Sequence, residues 1–380
     1  MNIKRDIQDD ILKRLFKKKA IIIYGARRVG KTTLVKEIQN NFSDISLYLN
    51  CDEPDIKEAL TNKTSTELKS FIGPKKLIII DEAQRVINIG LTLKLIVDNY
   101  PEIQIIATGS SSFELSNQTV EPLTGRKYEY ILFPFSFHEL KSIYTNLELD
   151  RLLEKRIVFG MYPEIIINEP ENERNLKEIT GSYLYKDVLQ YQNIRNPDVL
   201  DKLLRALALQ VGSEVSYNEL ANLLTVDKKT IQSYISLLEK AFVIFRLQPF
   251  NKNLRNEIKK LRKIYFIDNG IRNALINNLN PLALRNDTGI LWENFLISER
   301  IKYNFNNFLN INAYFWRTHQ KEGIDYIEEK TGNIQAYEFK WKNKNSLKSK
   351  PPKAFSDKYN KYYFETIDKK TYQNFLNLSF

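Results

Sequence analysis

The sequence predicts an α/β fold in three parts: a three-layer front part, a helical middle part and an α/β back part. Up to residue 135, short apolar runs alternate with polar turns and helical stretches, which is typical of a mainly parallel sheet. Residues 213–250 have the order helix, turn, helix and strand, and residues 323–341 have the pattern of a β-hairpin. We place the domains at residues 1–140, 141–250 and 251–380.

The composition is that of a globular protein with a basic balance. The 380 residues are 43% hydrophobic and 27% charged, and the formal net charge is +11. This charge favours a polyanionic partner, which we predict to be nucleic acid, DNA more than RNA. Cys51 is the single cysteine, so an intrachain disulfide and a thiolate metal cluster are excluded. No run has the length of a membrane span, and we expect a cytoplasmic protein with no membrane partner.

The stretch GARRVGKTT, which follows the apolar run 20–24, has the spacing of a phosphate-binding P-loop. Its glycines allow tight turns that direct backbone N–H groups at phosphate oxygens, and the helix beginning near Lys31 adds its positive end. We expect Lys31 to reach the β- and γ-phosphates of ATP and the Thr32 hydroxyl to hold Mg²⁺. The predicted nucleotide-binding residues are Gly25, Ala26, Arg27, Arg28, Val29, Gly30, Lys31, Thr32 and Thr33.

An acidic pair ends the second buried strand, which is predicted from the apolar run 77–80. Asp81 at the tip of this strand is a predicted Mg²⁺ ligand, directly or through water. Glu82 is the predicted general base that orients and deprotonates the attacking water. Because an acid after a strand is also a common helix N-cap, only the P-loop upstream makes the catalytic interpretation the stronger one.

Two further residues are candidates for the same reaction. Ser110 ends the predicted strand 103–110, where it is either a γ-phosphate sensor or an ordinary helix cap. Arg126 precedes the predicted strand 128–133, and it either stabilises phosphate charge in a neighbouring subunit or is a surface arginine. The sequence leaves both pairs of alternatives open, and with them the formation of a homo-oligomer.

These motifs resemble those of the AAA+ branch of P-loop ATPases. The resemblance rests on Gly25–Thr33, on the strand end DEAQ at 81–84, on TGS at 108–110 and on GR at 125–126. It covers roughly the first 140 residues. It implies an ATP-binding and ATP-hydrolysing domain with Mg²⁺ as the cofactor.

The segment 213–250 predicts a winged helix. Asp227 is a suitable N-cap for its second helix, and Ile231, Tyr234, Ile235 and Leu238 have the spacing of a buried stripe. The opposite face is polar and partly basic, so the helix either enters a DNA major groove or belongs to a purely structural connector. A lysine-rich run over 340–361 either follows a nucleic-acid backbone or is a solvated tail.

Carboxylates and a lysine converge in the predicted C-terminal hairpin. A two-residue turn at Thr331–Gly332 places Asp325 opposite Glu338, and Lys340 lies next along the same face. Two opposed carboxylates repel each other, whereas a hard divalent cation between them is stabilising. We therefore predict Mg²⁺, or Mn²⁺, between Asp325 and Glu338, with Lys340 positioning the hydrolytic water. A solvated edge strand is the alternative interpretation.

This constellation resembles the PD-(D/E)XK nuclease superfamily, a restriction-endonuclease-like fold. The resemblance implies that Asp325 is the first acid, that Glu338 and Lys340 form the E-x-K, and that Glu293 on the preceding helix is a further metal ligand. Residues 150–345 also resemble a domain of unknown function that commonly follows AAA+ modules, through YFIDNG at 265–270 and the W-E-N of residues 292–294.

Together these features predict an ATPase coupled to a nucleic-acid-binding domain that also cleaves. Two alternatives remain open. In the first, the C-terminal acids only support the fold of a non-catalytic nucleic-acid-binding module. In the second, the chain is a STAND-like signalling ATPase whose back part binds protein partners.

Overall fold

The computed structural model describes residues 3–109, 122–184, 194, 196–251, 262–318, 320, 322–342 and 350–378. The chain divides into two compact units. The first comprises residues 1–135 with the short pieces 183–190 and 240–242, and the second comprises residues 136–182, 191–239 and 243–380. The predicted boundary at residue 250 lies within the second unit, because strand Ile244–Pro249 pairs with strands that follow it in the chain.

The first unit contains a five-stranded parallel sheet with the order β2-β3-β4-β1-β5. Its strands are β1 (Ala20–Tyr24), β2 (Ser46–Asn50), β3 (Leu77–Asp81), β4 (Gln104–Gly109) and β5 (Lys127–Ile131). Its helices are α1 (Gln8–Arg14), α2 (Lys31–Asn40), α3 (Pro54–Leu60), α4 (Ser65–Ile72) and α5 (Ile89–Asn99). Short 3₁₀ turns occupy Ser43–Ile45 and Ala83–Arg85.

The central strands of this sheet are buried along their whole length, and the outer strands are only partly buried. Every residue of β1, β3 and β4 is buried, whereas β5 has a mixed pattern. Continuous apolar runs are what a parallel sheet requires when helices cover both of its faces. Within the described residues, β1, β3, β4 and β5 lie where strands were predicted, and the α/β fold class is confirmed.

The second unit contains a seven-stranded mixed sheet with the order β12-β11-β10-β9-β7-β8-β6. Its strands are β6 (Glu214–Val215), β7 (Ile244–Pro249), β8 (Arg262–Phe266), β9 (Asn312–Arg317), β10 (Gly323–Lys330), β11 (Asn333–Phe339) and β12 (Tyr363–Ile367). β11 lies between β10 and β12, so the alternative of a solvated edge strand is wrong.

The helices after residue 135 are mostly short, except one of 19 residues. They are α6 (Phe137–Leu140), α7 (Asn146–Phe159), α8 (Pro163–Ile167), α9 (Asn172–Glu178), α10 (Pro197–Leu209), α11 (Tyr217–Leu224), α12 (Lys228–Lys240), α13 (Asn269–Leu275), α14 (Thr288–Asn306), α15 (Lys353–Lys358) and α16 (Tyr372–Leu376). Single turns of 3₁₀ helix occupy Glu169–Glu171 and Leu282–Leu284, and Ile179–Leu184 is a π-helix.

The predicted hairpin has the predicted register. Lys330 pairs with Asn333 and Tyr326 with Tyr337, across a turn in which Thr331 and Gly332 both have positive φ. Two adjacent positive φ values are the signature of the two-residue turn that matches the twist of a β-hairpin. The β10–β9 pairing shifts register between Ile324 and Ile327, so β10 is irregular next to Asp325.

Helix α14 carries buried polar side chains that hold the second unit together. The Asn294 amide bonds both the N–H and the C=O of Phe266, at 2.8 and 2.9 Å, so it substitutes for a neighbouring strand. Arg300 forms two 2.8 Å bonds to the Glu328 carboxylate, and both side chains are fully buried. Removing one partner of such a pair typically costs about 3–5 kcal/mol, because the other charge is left buried.

Candidate nucleotide site and C-terminal carboxylate cluster

The P-loop has the backbone geometry that its glycines predict. A Cβ at Gly25 would collide with the Leu132 carbonyl oxygen, and Gly30 has φ +95° in the left-handed region. Both positions therefore require glycine. Helix α2 begins at Lys31, as predicted, so its first N–H groups and its positive end face the loop.

The Lys31 ammonium lies within the P-loop. Its Nζ donates to the carbonyl oxygens of Gly25 and Ala26, each at 2.9 Å, and the residue is only 5% exposed. A buried ammonium held by backbone carbonyls is positioned where the loop would surround phosphate oxygens. This placement agrees with the predicted role of Lys31.

Asp81 is the centre of a hydroxyl network at the carboxyl edge of the parallel sheet. Its Oδ2 accepts from the Thr32 hydroxyl at 2.7 Å and from the Tyr48 hydroxyl at 2.6 Å, and its Oδ1 accepts a short bond from Thr108. Asp81 is 3% exposed. The structure therefore brings together two predicted metal-binding residues, Thr32 and Asp81, that are far apart in the sequence.

This donor set suits Mg²⁺. The cation prefers hard oxygen ligands and is commonly held by one or two protein oxygens with the rest of its shell from water and phosphate. The Thr32 hydroxyl and the Asp81 carboxylate, which share a hydrogen bond, are oxygen donors of this kind. These two residues would hold the ion, which would neutralise charge on the nucleotide phosphates.

Glu82, the predicted general base, follows Asp81 in a left-handed backbone conformation with φ 54°. Its carboxylate accepts from the Gln84 side-chain amide at 2.5 Å, and its N–H donates to the Thr108 hydroxyl at 3.3 Å. Glu82 is half-buried. Gln84, the last residue of the DEAQ stretch, is a partner of this acid that was not predicted.

Two more residues at this site lie outside the recognised motifs. Arg5 is buried; it donates to the carbonyls of Val29 and Phe133, at 2.7 and 2.6 Å, and stacks on Phe135. It therefore ties the N-terminal segment to the P-loop. Tyr48 comes from the neighbouring strand β2. An isolated arginine or tyrosine carries no spacing signal, so the sequence alone could not have identified either.

Arg126 lies at the opposite edge of the sheet from the P-loop. Its carbonyl accepts from the N–H of Ala20, the first residue of β1, whereas the P-loop follows the last residue of that strand. At ~3.3 Å per residue the separation is about 15 Å, so the side chain does not reach a nucleotide bound to its own chain. Its guanidinium pairs with Asp98 at 2.5 Å. Ser110 lies outside the described residues.

The C-terminal acids do converge. The Asp325 carboxylate accepts from the Phe339 N–H at 2.9 Å, directly beside Glu338, and the Glu338 carboxylate pairs with Lys340 Nζ at 2.6 Å. From helix α14, Glu293 accepts from Lys263 at 3.0 Å and from the Tyr265 hydroxyl at 2.6 Å. We call Lys263, Glu293, Asp325, Glu338 and Lys340 the C-terminal cluster.

Burial and neighbouring charges shift the pKa values of two members of the C-terminal cluster. Burial, and next the charge of Glu293, raise the pKa of Asp325 to about 7, while Lys263 lowers this pKa. The hydrogen bond from Lys340 to Glu338 raises the pKa of the lysine. The acids thus interact with one another and with two lysines, as like and unlike charges at short range must.

The cluster fits a metal ion by ligand type but not by arrangement. Within the described parts of the chain, no three His, Cys, Asp or Glu side chains are grouped so that they could hold a metal. Lys263 and Lys340 already neutralise Glu293 and Glu338. The metal-binding roles of Glu293, Asp325 and Glu338 therefore stay predictions.

The predicted order of helix, turn, helix and strand is present as α11, α12 and β7, and β7 pairs with β8 in antiparallel orientation. Asp227 caps α12: its carboxylate accepts from the Thr230 N–H and hydroxyl, both at 2.8 Å. The predicted stripe of Ile231, Tyr234, Ile235 and Leu238 is buried. Lys228, Lys229, Gln232 and Ser233 are exposed, so the polar face of α12 is open to solvent.

Family models match three segments of the chain. The AAA domain model matches residues 17–141. Models for domains of unknown function match residues 150–282 (DUF8612) and 288–374 (DUF4143). The first unit thus contains a segment similar to AAA domains, and segments similar to two domains of unknown function follow it in the chain. Neither description names the predicted nuclease-like fold.

Similar proteins come from archaea and bacteria. An uncharacterized protein of Methanocaldococcus jannaschii is 29% identical over 328 residues, 78% of this chain and 73% of the relative. An uncharacterized protein of Mycobacterium tuberculosis is 26% identical over 342 residues, 89% of this chain and 74% of the relative. The solved Walker-type ATPase of Pyrococcus abyssi is 17% identical with a TM-score of 0.49, over 72% of this chain and 96% of that chain.

No helix in the described parts of the chain combines the length and the apolar character needed to cross a membrane.

Proposed function

We propose that the chain is an ATP-hydrolysing switch: the first unit binds and hydrolyses Mg²⁺–ATP, and the second unit binds nucleic acid, DNA more than RNA. The observation that carries the ATPase part is the convergence of Lys31, Thr32 and Asp81 at the carboxyl edge of the parallel sheet. Open parallel sheets bind ligands at this edge.

Each residue of the nucleotide site has a defined role in this proposal. The N–H groups of the P-loop and the Lys31 ammonium bind the phosphates, and electrostatic stabilisation by such groups is the main source of catalysis in phosphoryl transfer. Glu82 accepts a proton from the attacking water. Gln84 holds the Glu82 carboxylate and therefore affects its orientation.

The direct test is nucleotide binding and turnover by the full chain. Calorimetry with ATP and Mg²⁺ is expected to show one bound nucleotide per chain, and phosphate release is expected to require Mg²⁺. Wild-type protein that binds no nucleotide under these conditions would refute the ATPase proposal.

A trans role for Arg126 and a sensor role for Ser110 complete the ATPase proposal. Because Arg126 lies at the edge of its own sheet opposite the P-loop, a phosphate that it stabilises belongs to a neighbouring chain, and this requires a homo-oligomer. Sedimentation with and without ATP tests this assembly. Chains that stay monomeric at every concentration while turning over ATP at full rate would exclude it.

The nucleic-acid part is supported by the exposed polar face of α12 in a helix–turn–helix of winged-helix order. Exchange of Lys228 and Lys229 for alanine is expected to weaken DNA binding and to lower its salt dependence, because two phosphate contacts are lost. Lys202→Ala, an exposed lysine on α10, is the matched control. Wild-type chain that binds neither DNA nor RNA would favour a signalling ATPase with protein partners.

Metal-dependent phosphodiester cleavage is the second candidate function, and it is favoured by the Asp325 carboxylate beside Glu338 and the pairing of Glu338 with Lys340. The assay is nicking of circular DNA and of RNA with Mg²⁺ or Mn²⁺. Cleavage that is lost in Glu338→Gln and retained in Glu365→Gln, an acid on the neighbouring strand β12, would support it. Absence of cleavage by wild-type protein, together with absence of metal binding by calorimetry, would assign the acids to a non-catalytic module.

A further inference from the structure

Tyr48 makes a contact at the nucleotide site that no motif predicts. It lies on β2, which runs parallel to β3 with Tyr48 beside Ile79 and Asn50 beside Asp81. From there its hydroxyl donates to Asp81 Oδ2 at 2.6 Å. The same oxygen accepts from the Thr32 hydroxyl at 2.7 Å. Tyr48 therefore touches the residue that would hold Mg²⁺ and not the P-loop itself.

The hydroxyl network restrains the Asp81 carboxylate from three sides. Thr32 comes from α2, Tyr48 from β2 and Thr108 from β4, so three elements each supply one donor. A carboxylate with donors on both oxygens cannot rotate freely about its terminal torsion, which is otherwise soft. Thr32 and Thr108 belong to recognised motifs, whereas Tyr48 is the donor outside them.

The Tyr48 ring is also held from the side of α2. The Lys36 ammonium lies 5.1 Å from the centre of the ring and packs on the aromatic face. The ring is thereby held on one side by α2 while its hydroxyl points at Asp81.

We infer that Tyr48 is a positioning residue for magnesium-dependent nucleotide binding: it orients the Asp81 carboxylate toward Thr32. This inference rests on the proposed ATPase function. Tyr48 contacts neither a phosphate nor a reacting atom in this scheme, so its effect must depend on the metal. Binding of the nucleotide by the P-loop in the absence of metal should not need it.

The test is calorimetric titration of the full chain with a non-hydrolysable ATP analogue, once with excess Mg²⁺ and once with EDTA. In Tyr48→Phe, the dissociation constant with Mg²⁺ is expected to rise about ten-fold, the usual effect of losing one hydrogen bond to a charged group. With EDTA, the dissociation constants of wild type and variant are expected to agree. The variant keeps the ring, and thermal melting verifies that it is folded.

Two controls separate positioning from general stabilisation. Tyr130→Phe removes another tyrosine-to-aspartate bond of the first unit, 2.7 Å to Asp10, and is expected to leave the magnesium dependence unchanged. In an Asp81→Asn background, Tyr48→Phe is expected to have no further effect on affinity, since coupled residues are not additive.

Several outcomes would overturn the inference. One is equal affinity of Tyr48→Phe and wild type with Mg²⁺. A second is an equal loss with Mg²⁺ and with EDTA, which would assign Tyr48 to the fold. A third is tighter binding of the magnesium complex by the variant, which would mean that the hydroxyl competes with the metal for Asp81. Wild-type protein that binds no analogue at all would instead refute the ATPase proposal, and the Tyr48 inference with it.

Discussion

Both Asp81 and the C-terminal cluster place carboxylates next to hydrogen-bond donors, but the donors differ in charge. Asp81 accepts from three neutral hydroxyls, so its negative charge is oriented without being neutralised. Glu293 and Glu338 are each paired with a lysine ammonium. A carboxylate held by neutral donors attracts a cation strongly, whereas one that is ion-paired has already lost much of that attraction. An acid in a predicted motif is therefore a better candidate for binding a cation when its hydrogen-bond partners are neutral.

The largest effect is expected for Lys31→Ala, which removes the ammonium from the P-loop. Nucleotide affinity should fall by about 100-fold or more, because the phosphates lose a charged donor that makes several strong hydrogen bonds. Calorimetry with ATP measures the loss. Lys57→Ala, an exposed lysine on α3, is expected to bind as wild type does. An unchanged affinity in Lys31→Ala would mean that Lys31 does not bind the nucleotide phosphates.

Glu82→Gln should affect the rate and not the binding. Loss of a general base slows hydrolysis typically by ~10²-fold, while the phosphate contacts of the P-loop are retained. Phosphate release at saturating ATP measures the rate, and Glu58→Gln on the surface of α3 is the matched control. Turnover at the wild-type rate would mean that Glu82 is not the base.

The titration of Asp325 in the C-terminal cluster is expected to make the stability of the chain depend on pH. Because the pKa of Asp325 is raised to about 7, the folded chain binds a proton that the unfolded chain releases above its ordinary pKa near 4. Stability therefore falls as the pH rises from about 4 to 7, and this loss is fully present above 7. Asp325→Asn removes this titration.

Chemical denaturation at pH 5 and at pH 8 measures this contribution. Relative to wild type, Asp325→Asn is expected to be more stable at pH 8 than at pH 5 by about 2 kcal/mol. The buried Asp268 and Glu299 also have raised pKa values, so the variant keeps part of the pH dependence. If the stability of both proteins depends on pH in the same way, Asp325 is solvated and its pKa is not raised by the fold.

The smallest effect on stability is expected for Arg126→Ala. Its pair with Asp98 is exposed, and such pairs contribute about 0–1 kcal/mol. Nucleotide affinity should not change, since Arg126 is remote from the P-loop of its own chain. Turnover of an assembled protein should fall and should recover in part when Arg126→Ala is mixed with Lys31→Ala. No recovery in such mixtures would leave Arg126 a surface residue.

Local sequence patterns were sufficient to predict many of the secondary-structure elements and the backbone of the P-loop. The apolar runs predicted the parallel strands, and the spacing of Gly25, Gly30 and Lys31 predicted a loop that the backbone geometry confirms. The turn at Thr331–Gly332 predicted the hairpin register, because a two-residue turn leaves only one pairing. The Asp227 N-cap and the buried stripe of α12 were also predicted from the sequence, because capping and helical periodicity act over a few residues.

Contacts between residues that are far apart in the sequence could not be predicted from such local patterns. Tyr48 contacts Asp81 from a neighbouring strand and Arg5 contacts the P-loop from the N-terminal segment, and a single residue gives no periodic signal. The sequence likewise could not reveal that Lys263 of β8 reaches Glu293. That contact depends on how α14 packs against the sheet.

The sequence by itself therefore determined the α/β class, the P-loop with its acidic strand end, and the hairpin register, because each depends on chemistry within a short stretch of chain. Only the tertiary structure decided which groups from other elements contact the acids and how far the charge of the acids is neutralised. It surrounds Asp81 with neutral hydroxyls from three elements and places Lys263 against Glu293. The charge of a carboxylate depends on everything within a few ångströms, and only the folded chain brings those groups together.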